Sequence, residues 1–485
     1  MRASRLVVLG LALVACSAPL LAGCSSTPAG QTSTSVPSAP AAATPSAPTP
    51  AETAAAVYDR MTQAQRIGQL FMVAAAVTGP DSSTTTAVTT YHVGNLILTG
   101  RTTTGAAPVR AITGRMDALT TSAATAGVPL FVATDQEGGY VQVLQGPGFS
   151  RMPTALAQGT LADSTLTADA RIWGLQVRRA GVDVNLAPVM DTVPAATASS
   201  NAPIGQVDRE YGHTASVVAD KGSAFLRGMR SADLATTAKH FPGLGHVTAN
   251  TDTASGVKDT VTTATSPDIT AFKAAITAGA RLVMISSAVY TKIDAARPAV
   301  FSPTVIDNVL RGDLHYTGVV ISDDLGNAKQ VQAWSPGTRA VDVIAAGGDV
   351  VLTVNPALVP AMVAAVTARV SANATFRAQV AAAVMRVLTA KAAEGLLATR
   401  LVTDGVLGAL TTIALQRWLG VTATGELDAA TIRALQSRVG TTADGVWGPA
   451  SMAALQSYLG TSHDGARTWN TRTVKLLQMY LVTQM

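Results

Sequence analysis

At 485 residues, 48% hydrophobic, 4% aromatic and 13% charged, the chain is too long for one ordinary domain and too apolar for wholesale disorder. Its net charge of +5 is carried by scattered Lys and Arg, which gives a nucleic-acid partner no basic footprint. Both cysteines, Cys16 and Cys24, fall near the start, so the rest of the chain uses neither disulfides nor cysteine-bound metal.

In chain order, Met1 to Arg5 is positively charged and Leu6 to Ala22 is apolar, which predicts an export signal over 1–23. The signal ends in Leu21-Ala22-Gly23-Cys24, which resembles a bacterial lipobox. That resemblance implies cleavage before Cys24, lipidation of Cys24, and anchoring of the chain to the outer face of the cytoplasmic membrane. Leu13-Val14-Ala15-Cys16 is a second match, but its use would shorten the apolar region badly. A plain secreted protein is the alternative. No other segment is apolar for long enough to span a bilayer. Residues 24–51 are nearly all Ser, Thr, Pro, Ala and Gln, a composition that predicts a solvated tether.

From there, short runs rich in Val, Ile and Leu alternate with stretches of helical spacing. The predicted strands are Gly68 to Ala74, Val93 to Leu98, Pro129 to Thr134, Val182 to Ala187, Leu234 to Ala238, Arg281 to Ser286, Gly318 to Ser322 and Asp349 to Val354. Eight such units over 52–397 predict an α/β fold, a (β/α)8 TIM-type barrel. A doubly wound open sheet is the alternative, but no G-x-G-x-x-G turn follows the first strand.

The segment 400–485 repeats. Asp404-Gly405-Val406-Leu407-Gly408 precedes Ala414-Leu415-Gln416, and Asp444-Gly445-Val446-Trp447-Gly448 precedes Ala454-Leu455-Gln456. Weaker half-repeats occur at Thr424-Gly425-Glu426 and Asp464-Gly465. Each unit reads as a turn and a short helix that cannot bury its apolar face alone, so the units must stack into a small all-α repeat domain. The pattern resembles the peptidoglycan-binding module of three short helices, which implies a cell-wall partner.

Four stretches carry the chemistry. Asp135-Gln136-Glu137-Gly138-Gly139 follows the third strand, and Asn185-Leu186-Ala187-Pro188-Val189-Met190-Asp191 lies on the fourth and runs past its end. Lys239-His240-Phe241-Pro242-Gly243-Leu244-Gly245 follows the fifth, and Ser322-Asp323-Asp324-Leu325 the seventh. Together they resemble the D-Q-E-G-G, N-x-A-P-V-x-D, K-H-F-P-G-x-G and S-D-D-L elements of glycoside hydrolase family 3. Within it they are most similar to the bacterial β-N-acetylglucosaminidases of cell-wall recycling.

Retaining hydrolysis needs a carboxylate nucleophile and a proton donor at the leaving oxygen. Side chains alternate along a strand, so only one of Asp323 and Asp324 faces the substrate. The resemblance selects Asp323 as nucleophile and leaves Asp324 structural. It also implies sugar contacts from Asp135, Lys239, His240 and Arg209, the last in an element with two extra residues after Gly205. Glu137 is read as part of the turn.

Two departures stand out. Where the recycling enzymes carry Asp-Ser-His, with His as acid/base, this chain has Asn250-Thr251-Asp252. Three readings stay open: Asp252 is the proton donor with a raised pKa, His246 swings in, or the domain binds sugar without efficient turnover. A hydrogen bond from Asn250 would hold the Asp252 carboxylate. The family also often has a histidine about where Ser287 stands.

The expectation is a lipid-anchored, wall-associated retaining exo-glycosidase, a monomer that releases terminal β-linked N-acetylglucosamine from peptidoglycan fragments. It would need no metal or organic cofactor. A β-glucosidase or other exo-glycosidase of the same fold, and a non-catalytic cell-wall-binding lipoprotein, are the alternatives.

Overall fold

The computed structural model describes residues 48–397, 403, 405–422 and 424–484. The expected export signal, Cys24 and the tether up to residue 47 lie outside the described residues. A first helix, Pro50–Arg60, opens on a capping box in which Thr49 and Glu52 each accept the other's backbone N–H.

Eight parallel strands follow: β1 (Phe71–Ala76), β2 (Asn95–Thr99), β3 (Phe131–Thr134), β4 (Val184–Asn185), β5 (Ala235–Phe241), β6 (Leu282–Ile285), β7 (Val319–Ser322) and β8 (Val351–Thr353). Each pairs with its sequence neighbour, β1 pairs with β8, and an Ile321–Val350 bridge joins β7 to the approach to β8. The sheet is thus a nearly closed barrel wrapped by helices, as the strand count predicts. All eight predicted strands are present. The fifth runs three residues further than expected, because Lys239, His240 and Phe241 stay extended and buried.

Period-two alternation sorts the strand residues. Met72, Ala74, Ile97, Phe131, Met284, Ile321 and Leu352 point into the barrel. Phe71, Val73, Ala75, Leu96 and Val132 face the surrounding helices in a second, larger core. The barrel interior is therefore packed, and open space remains only at the strand ends.

The N-terminal end of the barrel is closed by the helix Ala374–Ala393, which adds Val387 and Ala390 to the interior. Its Lys391 is fully buried. The ammonium donates to Gln69 Oε1 at 2.7 Å, Gly94 O at 2.8 Å and Pro129 O at 3.0 Å. Burial pushes this amine down to about 7, while three acceptors around one nitrogen fit the charged form. Chemistry is left to the opposite end.

Among the described residues the tail forms four helices, Ala409–Leu419, Ala429–Val439, Pro449–Tyr458 and Thr471–Gln484. Both half-repeats are therefore full units, each with its own helix. Gln416, Gln436, Gln456 and Gln478 repeat one device. The amide oxygen accepts Gly425 N at 2.9 Å, Gly445 N at 2.9 Å, Asp464 N at 3.2 Å and Gly405 N at 2.8 Å respectively. The amide nitrogen donates to Thr431, Ser451, Thr473 and Thr411. The fourth glutamine binds the first loop, so the units close into a ring around Leu415, Leu435, Leu455 and Leu477. Burying one such Leu is worth roughly 1.5–3 kcal/mol, so a single unit would not hold.

Candidate active site

Asp135, Arg209, Lys239, His240, Asp252 and Asp323 line one cavity of about 600 Å³ at the C-terminal ends of the strands. Ile97, Leu186, Met284 and Leu352 form its floor, which continues the packed interior.

Asp135 directly follows β3, and the next residues fold into a short hairpin of Gln136–Gly138 and Val141–Gln142. The reading of Glu137 as merely a turn residue is corrected here. Its buried carboxylate accepts Arg209 Nε and Nη2, each at 2.8 Å, and pairs with Lys239 Nζ at 2.6 Å. Burial alone would raise this carboxyl, but Arg209 and then Lys239 outweigh it and hold it at about 2. Lys239 also reaches Asp135 Oδ1 at 2.6 Å. Burial opposes its charge, yet Asp135 and Glu137 raise its pKa above the ordinary lysine value. Asp135, Lys239, Glu137 and Arg209 form one alternating chain of charges.

Arg209 reaches the cavity despite the longer spacing. A 3₁₀ turn at Gly205–Val207 and a left-handed Asp208 take up the extra residues. Asn201 ties this loop to the one after β5, accepting Ile204 and Gly205 N–H and donating to the carbonyls of Leu244 and Val247. Three of the five Arg209 N–H groups are committed, to Glu137 twice and to Pro203 O once.

His240 is oriented by Asp191, which is fully buried. Asp191 Oδ2 lies 2.8 Å from His240 Nδ1, and Oδ1 accepts the backbone N–H of His240 at 3.0 Å and of Leu244 at 2.9 Å. A carboxylate on Nδ1 puts the proton there and leaves Nε2 for the cavity. Asp191 thus positions His240.

Asp323 follows β7, its own N–H bonded to Ile285 O at 3.2 Å. Asp324 is occupied by three backbone N–H groups, from Gly326, Val354 and Asn327, each at 2.8 Å. These bonds fix the loop after β7 and leave Asp323 the carboxylate available to a ligand.

The Asp252 loop is tied down. Lys329 N donates to Asp252 O and Gln330 N to Thr251 O, both at 3.0 Å. Gln330 Oε1 accepts Val257 N at 2.9 Å. Asn250 does not hold the Asp252 carboxylate as expected. Its Oδ1 accepts the Asp252 backbone N–H at 2.8 Å, because an Asn side chain reaches the N–H two residues on more readily than a carboxylate there. The Asp252 side chain is exposed at the cavity mouth. Crowding by surrounding protein, and next the charge of Asp323, still lift its carboxyl to about 6.

His246 lies elsewhere. Its Nε2 is 3.2 Å from Asp268 Oδ2, it does not line the cavity, and that hydrogen bond raises its pKa. Ser287 is buried and does not line the cavity either. Among the described residues no group of three or more His, Cys, Asp or Glu side chains has the arrangement of a metal site.

Comparison with known proteins shows what the chain is similar to. Residues 62–390 match the family described as glycosyl hydrolase family 3 N terminal domain. A β-hexosaminidase of Stenotrophomonas maltophilia is 37% identical over 245 residues, 49% of this chain and 70% of that protein. The crystal structure of a β-N-acetylhexosaminidase from Beutenbergia cavernae superposes with a TM-score of 0.68 at 50% identity, covering 69% of this chain and 99% of that one. A glycoside hydrolase family 3 β-N-acetylglucosaminidase from a Paenibacillus strain gives 0.63 at 28% identity, over 69% of this chain and 63% of that one.

Proposed function

The chain belongs to glycosyl hydrolase family 3, and we propose that it is a retaining exo-glycosidase that releases terminal β-linked N-acetylglucosamine from peptidoglycan-derived glycans. Asp323 is the nucleophile and Asp252 the acid/base. What carries this reading is that both carboxylates converge on one cavity and that Asp252 is lifted to about 6.

In the first half, a carboxylate oxygen of Asp323 attacks the anomeric carbon as the glycosidic bond breaks. Asp252 gives its proton to the departing oxygen, and a covalent glycosyl–Asp323 intermediate remains. In the second half, Asp252 takes a proton from water, which attacks the anomeric carbon from the vacated side and frees Asp323. Two inversions retain the β configuration. The remaining N–H groups of Arg209 and Lys239, His240 Nε2 and the second oxygen of Asp135 hold the sugar hydroxyls.

A lone carboxylic acid does here what an Asp-backed histidine does in the recycling enzymes. Crowding by the surrounding protein and the charge of Asp323 lift its carboxyl to about 6, so a protonated fraction persists toward neutrality for it to act as general acid.

The proposal extends to location and to the tail. Lipid on Cys24 anchors the chain outside the cytoplasmic membrane, a tether leads from there to the helix Pro50–Arg60, which opens the hydrolase domain two residues before the expected 52, and 400–485 grips the cell wall. Support for this comes from the lipobox-like Leu21 to Cys24 and from the repeated D-G-x-x-G units.

Turnover of an aryl β-N-acetylglucosaminide beside the matching β-glucoside tests the substrate class. Preference for the former is expected, and preference for the glucoside would overturn the N-acetyl assignment.

A further inference from the structure

The hairpin that positions Glu137 also carries a feature that the reaction above does not use. Tyr140, at its tip, lines the cavity and yet is 61% exposed. The base of the hairpin is Asp135, deep in the sugar site, so the tip stands at the mouth.

The tip is rigid. Gly138 and Gly139 adopt φ of +106° and +54°, and a Cβ on either would meet Pro153 O at 2.2 Å or Thr154 Cγ2 at 2.6 Å. Gly139 N also donates to Met152 O at 3.0 Å. Arg101, two residues past β2, lies with its guanidinium carbon 4.7 Å from the Tyr140 ring centroid and donates Nη2–H to Tyr140 O at 2.5 Å. Its neighbour Thr102 is bonded on both sides to the segment after the hairpin, to Val143 O at 3.0 Å and from Gln145 N at 2.9 Å. Among the described residues no carboxylate pairs with Arg101.

An exposed aromatic ring that packs no core, backed by an unneutralised guanidinium at the rim of a sugar cavity, has a specific chemical use. A flat π face matches the C–H face of a pyranose, and a guanidinium matches a carboxylate in bidentate geometry. A terminal sugar seated on Asp135, Lys239 and Asp323 sends its leaving group out through the mouth. The next sugar therefore meets Tyr140.

We propose that Tyr140 and Arg101 form a subsite for the leaving-group sugar, Tyr140 stacking on its ring and Arg101 pairing with a carboxylate on it. The subsite rests on the glycosidase reading above. It makes the enzyme select, among β-linked N-acetylglucosaminides, those whose second sugar is anionic.

The test uses three substrates and the full-length protein: N-acetylglucosamine β-linked to N-acetylmuramic acid, the neutral disaccharide N,N'-diacetylchitobiose, and N-acetyl-β-glucosaminyl fluoride. The fluoride has a one-atom leaving group that cannot reach the rim. Arg101→Met is expected to lower the ratio of kcat/KM on the muramyl disaccharide to that on chitobiose by roughly tenfold, the scale of a partly exposed charge-assisted pair. Tyr140→Ala is expected to lower the ratio of either disaccharide to the fluoride by a similar factor. Unchanged ratios in both variants, with the fluoride still hydrolysed, would overturn the subsite and leave the glycosidase reading intact. Failure of the wild-type protein to hydrolyse the fluoride would overturn both.

Discussion

Replacing Glu137 with glutamine keeps the shape of the side chain and removes one buried charge that faces two cations. In the native site this carboxylate takes two N–H groups of Arg209 at 2.8 Å and the Lys239 ammonium at 2.6 Å, with almost no exposure to water. The substituted amide would offer one acceptor oxygen and turn its own N–H groups toward a guanidinium. Breaking a buried pair by removing one partner costs about 3–5 kcal/mol. Linkage gives a consistent figure, since a carboxyl held at about 2 against an ordinary 4.5 corresponds to roughly 3 kcal/mol of folding stability. Because the folded-state pKa is the depressed one, this stability is present above pH 4.5 and is lost as pH falls through about 2. Urea unfolding of wild type and Glu137→Gln at pH 7 should therefore differ by about 3–5 kcal/mol, and the gap should narrow as pH drops from 4.5 toward 2. A gap below about 1 kcal/mol, the scale of an exposed pair, or one that does not change over that pH range, would refute the charge-chain account.

Asp252→Ala should lose about 10²- to 10⁴-fold in kcat/KM on a disaccharide but far less on an activated aryl glycoside, and equal losses would remove Asp252 as proton donor. With Asp252 needed in its protonated form and its pKa near 6, wild-type kcat/KM on the disaccharide should fall as pH rises through about 6, and Asp252→Ala should lack that limb. Lys391→Met strands three buried acceptors beneath the barrel and should cost about 2–4 kcal/mol in urea unfolding, with kcat on the folded fraction retained. Deleting 400–485 should weaken pelleting on cell-wall sacculi while small-substrate turnover continues.

The barrel was legible because eight short apolar runs recur, each separated from the next by a stretch long enough for a helix, and burial on both faces leaves no other use for them. Strand ends were harder. The fifth run was expected to stop at Ala238, since Lys239 and His240 read as polar loop residues. They remain in the strand because Asp135 and Glu137 neutralise the lysine and Asp191 takes the imidazole, partners 104, 102 and 49 positions away in sequence. Distance in sequence also hid Glu137, whose Arg209 contact spans 72 residues. A signal for it was present: Asp135 and Glu137 are two apart on an extended stretch, which puts both carboxylates on one face. In the tail, the two weak half-repeats keep the glutamine of the full ones, and that residue, rather than the glycine pattern, defines the unit.

The central claim is that Asp323 forms a bond to the sugar during turnover. Incubation with a ring-fluorinated N-acetylglucosaminyl fluoride, followed by peptide mapping by mass spectrometry, tests it directly. The predicted result is a single glycosyl adduct on Asp323, absent in Asp323→Asn. An adduct on Asp252 or Asp324, or release of the α-configured sugar with no adduct, would contradict it.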